Sequence, residues 1–262
     1  MIRLEVLSRE PRGAAARVPL LFVHGAYVGA WCWDEHFLPW FAERGFPAHA
    51  VSLRGHGASS GRDRLHGFGL ADYAEDLSRA VRLLDRPPVL VGHSMGALVV
   101  QKYLETAPAP AAVHLCPVPP FGLLPSTFSL AFGRPALFAE VNALASGRRA
   151  SRAALAEALF AGPVNGERIE RYYDRMQAES RRALCDMSFW GLPQLWRAHR
   201  PDTLVLGASR DALISPLMAQ SAATMLGAEY RLLEGLGHAA MLDTDWQLAA
   251  QEILEWLDAR GL

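Results

Sequence analysis

Along this chain, short apolar runs alternate with longer stretches in which apolar positions recur every three or four residues. The runs at 20–23, 48–53, 89–91, 111–116, 203–206 and 229–233 are rich in valine, leucine and alanine and predict strands. Helical spacing places Tyr73, Leu77, Ala80, Val81 and Leu84 on one face of a helix over 72–84, and predicts further helices over 97–105 and 246–257. Trp33, Phe37, Trp40 and Phe41 recur at the same spacing, but Pro39 lies among them and predicts a kink or a broken first turn. Strands alternating with helices in this way predict an α/β fold: a mostly parallel central sheet with helices on both faces.

The alternation stops between 123 and 199. Consecutive helical segments fill that stretch, broken at Gly133-Arg134-Pro135, Gly147, Gly162-Pro163 and Gly191-Leu192-Pro193. Strands resume at 203, so the stretch reads as a helical cap inserted into a core formed by 1–122 and 200–262.

Composition narrows the classes of function. With 262 residues, 51% apolar and 20% charged, the chain is long and greasy enough for a full hydrophobic core. A net charge of −1 removes the electrostatic case for a nucleic-acid partner. Cys32, Cys116 and Cys185 are too far apart for a CxxC pair and read as buried thiols, not as a disulfide or zinc framework. The uncharged run over 107–133 contains six prolines, Pro108, Pro110, Pro117, Pro119, Pro120 and Pro125, which argues against a membrane span. The start Met1-Ile2-Arg3-Leu4-Glu5 lacks the apolar run of a signal peptide, and a cytoplasmic protein, monomer or homodimer, is expected.

Candidate chemistry centres on Gly92-His93-Ser94-Met95-Gly96, a G-x-S-x-G motif between a predicted strand and a predicted helix. Such a turn lifts a serine hydroxyl to the C-terminal edge of a parallel sheet, where α/β folds bind ligands. A serine nucleophile needs a base, and the base needs an orienting acid. Of nine histidines, His238 is the one that follows the last strand and precedes the last helix. The strand ending at Cys116 is followed by no carboxylate, whereas the strand ending at Leu206 leads to Asp211. Asp202 precedes its strand, and Asp243 and Asp245 follow the histidine, so Ser94, Asp211 and His238 are the expected catalytic residues.

Taken together, His24-Gly25-Ala26, Arg54-Gly55-His56-Gly57, Gly92-His93-Ser94-Met95-Gly96 and the pair Asp211 and His238 resemble the α/β-hydrolase superfamily. The segment from His24 to Trp31 is similar to the branch that holds plant methyl-ester esterases and hydroxynitrile lyases. This resemblance implies an oxyanion hole built from the backbone N–H groups of Ala26 and Met95. Ser94 stands where haloalkane dehalogenases and related epoxide hydrolases carry aspartate. Lyases of the branch keep a threonine after the first histidine and a lysine after the catalytic one, where this chain has Gly25 and Ala239. Gly-His-Ser-Met-Gly-Ala also resembles stand-alone thioesterases of polyketide assembly, which lack the His-Gly-Ala segment.

The expected function is a serine hydrolase, free of cofactor and metal, that cleaves a small and largely apolar carboxylic ester through an acyl-enzyme. A thioesterase, a lactonase and a carbon–carbon bond hydrolase would use the same triad. The last would need a cap-side cation such as Arg134 or Arg197. A receptor-like binding protein with little turnover is the alternative of another class. Tyr27, Phe121, Trp190 and Leu213 are the candidate substrate contacts. Phe128, Phe138, Phe160 and Trp196 are further cap-side aromatics that would give a greasy pocket.

Overall fold

A computed structural model describes residues 2–13, 17–148 and 150–262. Seven strands form one sheet: β1 (Glu5–Arg9), β2 (Leu20–Val23), β3 (Ala48–Ser52), β4 (Val89–His93), β5 (Ala111–Leu115), β6 (Asp202–Ala208) and β7 (Glu229–Leu233). Their spatial order is β1-β3-β2-β4-β5-β6-β7, with every neighbouring pair parallel except β1 and β3. The pattern of the chain does not announce β1. It is a half-exposed edge strand, with Leu4 and Val6 packed on one face of the sheet and Leu7 on the other. Its pairing is reinforced by the Glu5 carboxylate, which accepts the Ser52 hydroxyl (2.5 Å) and the Ala58 N–H (3.1 Å).

The continuous apolar runs are explained by burial on both faces. Leu20 and Phe22 point to one layer and Leu21 and Val23 to the other, all without solvent exposure. The first layer holds α1 (Trp31–Asp34), α2 (Phe37–Ala42) and, from the end of the chain, the closing helix Trp246–Asp258, with Trp33, Phe37, Phe41 and Trp256 at its centre. Two short helices replace the single aromatic helix pattern, because the chain breaks at Glu35 and His36. Pro39 then sits in the first turn of α2, where a missing N–H breaks no helical bond. The second layer holds α3 (Leu70–Val81) and α4 (Met95–Leu104). Arg54, just past β3, anchors this layer. Its guanidinium, 7% exposed, bonds Asp76 (2.7 Å), which is fully buried, as well as Asp72 (3.0 Å) and Glu75 (2.8 Å) on α3. Removing one member of such a buried pair leaves an uncompensated charge and costs about 3–5 kcal/mol.

Between β5 and β6 come α5 (Leu124–Gly133), α6 (Pro135–Ala145), α7 (Arg152–Leu159), α8 (Gly166–Arg175), α9 (Arg181–Cys185) and one π-helical turn, Asp186–Trp190. Cys32 and Cys116 are buried, whereas Cys185, at the end of α9, is exposed, which corrects its expected burial. The breaks fall at the glycines and prolines that the sequence marks, with one addition. Residues 176–180 are extended although they contain neither glycine nor proline. After β6, α10 (Pro216–Leu226) packs on Val205, and α11 (Trp246–Asp258) closes the chain. Four parallel strands, β4 to β7, therefore end at one edge of the sheet. Ser94, Cys116, Asp211 and His238 all follow those ends.

Candidate active site

Ser94 sits between β4 and α4 with φ 51° and ψ −117°, a left-handed conformation that is sparsely populated for a residue with a side chain. Such strain is of order 1–3 kcal/mol and persists only where the surroundings enforce it. Here the flanking glycines make room. A Cβ on Gly92 would lie 2.5 Å from the Gly96 oxygen, and one on Gly96 would lie 2.4 Å from the Val23 oxygen. The strained turn is pinned by the Ser94 N–H donating to the Leu115 carbonyl (3.1 Å).

His238 bridges the two other predicted residues. Its Nε2 is 3.0 Å from Ser94 Oγ and its Nδ1 is 2.8 Å from Asp211 Oδ2. Because an ionised carboxylate only accepts, the proton belongs on Nδ1, and the lone pair of Nε2 then faces the serine hydroxyl. The other Asp211 oxygen accepts the Leu213 and Ile214 N–H groups, both at 2.8 Å, so the carboxylate is held in place by its own loop. The Asp211 side chain has no solvent exposure and that of His238 is 5% exposed.

Two motif histidines position this group. Burial, and then the neighbouring His238 ring, push His93 down to about 3, so its ring is neutral. Its Nε2–H donates to the His238 carbonyl (2.9 Å). Burial, and then His56, push His24 down to about 3 as well. Its Nε2 accepts the Leu53 N–H (3.0 Å), which leaves Nδ1–H to donate to the Gly25 carbonyl (2.7 Å). Asp243, weighed as an acid from the sequence, bonds elsewhere. It accepts the N–H groups of Gly237 (2.8 Å), Ala161 (3.1 Å) and Thr244 (2.7 Å) and so secures the loop that carries His238.

Ala26 and Met95 both border the cavity that opens on Ser94. No backbone acceptor is paired with either N–H among the described residues. Gly25 explains how the two loops approach each other: a Cβ there would lie 2.8 Å from His93 Nδ1 and 3.1 Å from Ser94 Cβ. The helix α4 begins at Met95, so its N-terminal dipole adds positive potential at the same spot.

The cavity has a volume of about 340 Å³ and no Asp, Glu, Lys or Arg in its lining. Its walls come from the Ser94 and His238 loops and from helices α5, α6 and α7, with Leu130, Phe138, Leu155 and Leu159 among them. Tyr27 and Leu213, two of the candidate substrate contacts, line it. Phe121 and Trp190 do not, and both expectations are corrected. Trp190 is 84% exposed in the π-helical turn, on the side away from the core. Of the other aromatics, Phe138 lines the cavity, Phe160 is buried in the core beside Tyr172, and Phe128 and Trp196 are exposed. Leu155, Met187 and Met241 also line it and were not singled out, since an aliphatic residue on a helix carries the same pattern whether it faces a core or a cavity. Arg134 and Arg197 lie outside the lining. Among the described residues, no group of three His, Cys, Asp or Glu side chains is arranged to hold a metal, and no helix is long and apolar enough to cross a membrane.

Comparison with known proteins agrees with this architecture. Protein ABHD8 of Bos taurus is 38% identical over 87 residues, 32% of this chain and 20% of that one, so the match spans about a fifth of that relative's length. Methylesterase 3 of Arabidopsis thaliana is 32% identical over 98 residues, 37% of each chain. A solved esterase from Exiguobacterium antarcticum shares the fold, with a TM-score of 0.74 at 16% identity over 98% of this chain and 96% of that one. The model of the alpha/beta hydrolase family matches residues 20–252, a span that contains Ser94, Asp211, His238 and the two glycine-bearing loops, and the chain belongs to that family.

Proposed function

We propose that this protein is a serine hydrolase that cleaves small, largely apolar carboxylic esters through an acyl-enzyme. The observation that carries the reading is the bridge of His238 between Ser94 Oγ (3.0 Å) and Asp211 Oδ2 (2.8 Å) beside an uncharged cavity. Nε2 of His238 takes the hydroxyl proton as Ser94 Oγ attacks the ester carbonyl. The carbonyl oxygen gains negative charge and is held by the N–H groups of Ala26 and Met95. As the tetrahedral adduct collapses, the same proton passes to the leaving alcohol. Water then attacks the acyl carbon as it gives a proton to His238, and that proton returns to Ser94 Oγ as the bond to the acyl group breaks and the acid leaves. Asp211 holds the imidazole in the productive tautomer and balances its charge.

In this reading residues 123–199 are a cap and 1–122 with 200–262 the core. The similarity to a plant methylesterase favours an oxygen ester over the other acyl groups. A carbon–carbon bond hydrolase would need a cation for the carboxylate of its substrate. Arg134 and Arg197, examples of such a cation, lie outside the cavity, whose lining holds no Lys or Arg.

The test is turnover of p-nitrophenyl butyrate by the purified protein and by Ser94→Ala. Loss of at least three orders of magnitude in kcat, with the fold intact, is expected. Unchanged turnover in Ser94→Ala would refute the mechanism, and absence of turnover across short esters and thioesters would favour a binding protein.

A further inference from the structure

Glu179 is a carboxylate with no solvent exposure that lies outside the cavity lining. It comes from the extended segment 176–180, where the helical insertion descends onto the core. Four donors converge on it. Oε2 accepts His56 Nε2–H (3.0 Å) and the Tyr27 N–H (3.3 Å), and Oε1 accepts the Tyr73 hydroxyl (2.9 Å) and the Ser180 N–H (2.6 Å). Burial alone would push its carboxyl up; the His56 ring, the Ser180 N–H and the Tyr73 hydroxyl outweigh burial and hold it below the usual range. Burying an acid at this depth is unfavourable unless its partners are in place, so its connections indicate its role.

Two of those connections lead to Ala26. The Tyr27 backbone is left-handed, φ 67°, and is gripped at both polar groups: its N–H by Glu179 and its carbonyl by the Gln177 N–H (2.9 Å). Holding the Tyr27 N–H sets the plane of the Ala26–Tyr27 peptide. The second connection runs through His56, whose ring packs against His24 at 4.9 Å, and His24 Nδ1–H bonds the Gly25 carbonyl. That carbonyl and the Ala26 N–H belong to one peptide unit and point in opposite directions. Both peptides that flank Ala26 are thereby oriented from the side away from the cavity.

We propose that Glu179 is the positioning residue of the oxyanion loop, aiming the Ala26 N–H at the reacting carbonyl oxygen from outside the substrate site. This rests on the reading of Ala26 as an oxyanion donor. The insertion then does more than cover the cavity, because one of its segments braces a catalytic loop of the core. Since an N–H aimed at the oxyanion acts in the transition state, loosening it lowers kcat and leaves ground-state binding intact.

The experiment compares Glu179→Gln, Glu179→Asp and Tyr73→Phe with the parent chain. Glutamine can satisfy Ser180 and Tyr73 through its oxygen while its NH₂ turns toward His56 and Tyr27; the His56 ring can answer by accepting at Nε2, but the Tyr27 N–H cannot, so the Tyr27 bond is lost at nearly constant volume. On p-nitrophenyl butyrate, Glu179→Gln is expected to lose about 10- to 100-fold in kcat with KM within about threefold. Butylboronic acid, which forms a tetrahedral anion on the serine, should weaken by a similar factor, and butan-1-ol inhibition should not change. Glu179→Asp keeps the charge and should recover part of the loss. Tyr73→Phe removes a donor from the far oxygen alone, so it should lower Tm and leave kcat within about threefold. A folded Glu179→Gln with parental kcat overturns the proposal, as does equal weakening of boronate and butanol, which marks general disorder of the site. If Glu179→Gln does not fold, Glu179→Asp is judged by the same boronate-to-butanol comparison. The two readings fail separately: turnover surviving in Ser94→Ala defeats the serine mechanism, whereas normal boronate binding in Glu179→Gln defeats only the role of Glu179.

Discussion

Replacing Asp211 by asparagine separates its two roles, because the side chain must choose which end faces which partner. One oxygen accepts two backbone N–H groups, those of Leu213 and Ile214, and the other accepts His238 Nδ1–H. If the amide NH₂ turned toward the backbone, two buried N–H donors would lose their acceptor, a penalty of about 1–3 kcal/mol for each. If it turned toward the ring, one bond would be at stake, and the imidazole can answer by moving its proton to Nε2. The second arrangement therefore wins. It leaves the fold nearly untouched, but a proton now sits on the nitrogen that must accept one from Ser94. A wrong tautomer of this kind lowers kcat by about 10⁴ in a comparable triad, equivalent to about 5.4 kcal/mol on the barrier. Asp243→Asn makes the contrast. Asp243 accepts three N–H groups, so its amide counterpart loses one acceptor and about 1–3 kcal/mol of stability, with kcat within about tenfold of the parent. Steady-state kcat on p-nitrophenyl butyrate and urea unfolding measure the two effects. If Asp243→Asn is the more damaged in kcat, or if Asp211→Asn keeps a tenth of the parent activity, the tautomer argument is wrong.

Three further outcomes are expected. Along linear acyl chains, kcat/KM should rise about fourfold per methylene, at about 0.8 kcal/mol each, until the 340 Å³ cavity is filled, and a half-ester with a terminal carboxylate should react at least about 100-fold more slowly. A flat series, or a preference for the charged ester, would mean that the cavity is not the acyl site. Stability should fall on acidification, because burial pushes His24 and His93 down to about 3 and His114 down to about 4 from an ordinary 6.5. Below 6.5 the unfolded chain takes up these protons and the folded one does not, so ΔG of unfolding should drop by up to about 4 kcal/mol per pH unit between roughly pH 6 and pH 4. Urea midpoints measured over that range check the sign and the slope. Trp190→Ala should leave kcat and KM within about twofold, since that side chain is exposed and lies away from the cavity; a large rise in KM would return it to the substrate contacts.

What the sequence determined by itself is the part governed by local pattern and covalent spacing. Apolar runs that must be buried on both faces announced six of the seven strands, and Gly92 and Gly96 marked the one turn in which a serine can be carried so tightly. The placement of Ser94, Asp211 and His238 behind β4, β6 and β7 followed from a parallel sheet, since parallel strands deliver their ends to one edge. The half-exposed β1 stayed silent, because an edge strand with one polar and one apolar flank has no strong period. Tertiary structure alone decided which aromatics meet the cavity: Phe138 and Trp190 both offer an apolar ring, and only the packing of the helices sets one in the cavity wall and leaves the other in solvent. It also decided the extended course of residues 176–180. No glycine or proline breaks the helix pattern there, and the segment is held open by bonds to Tyr27, His56, Gly55 and Gly57, partners more than a hundred positions away. Contacts of that range leave no periodicity in the chain, so the proposed bracing of the Ala26 loop by Glu179 is legible only in the tertiary structure.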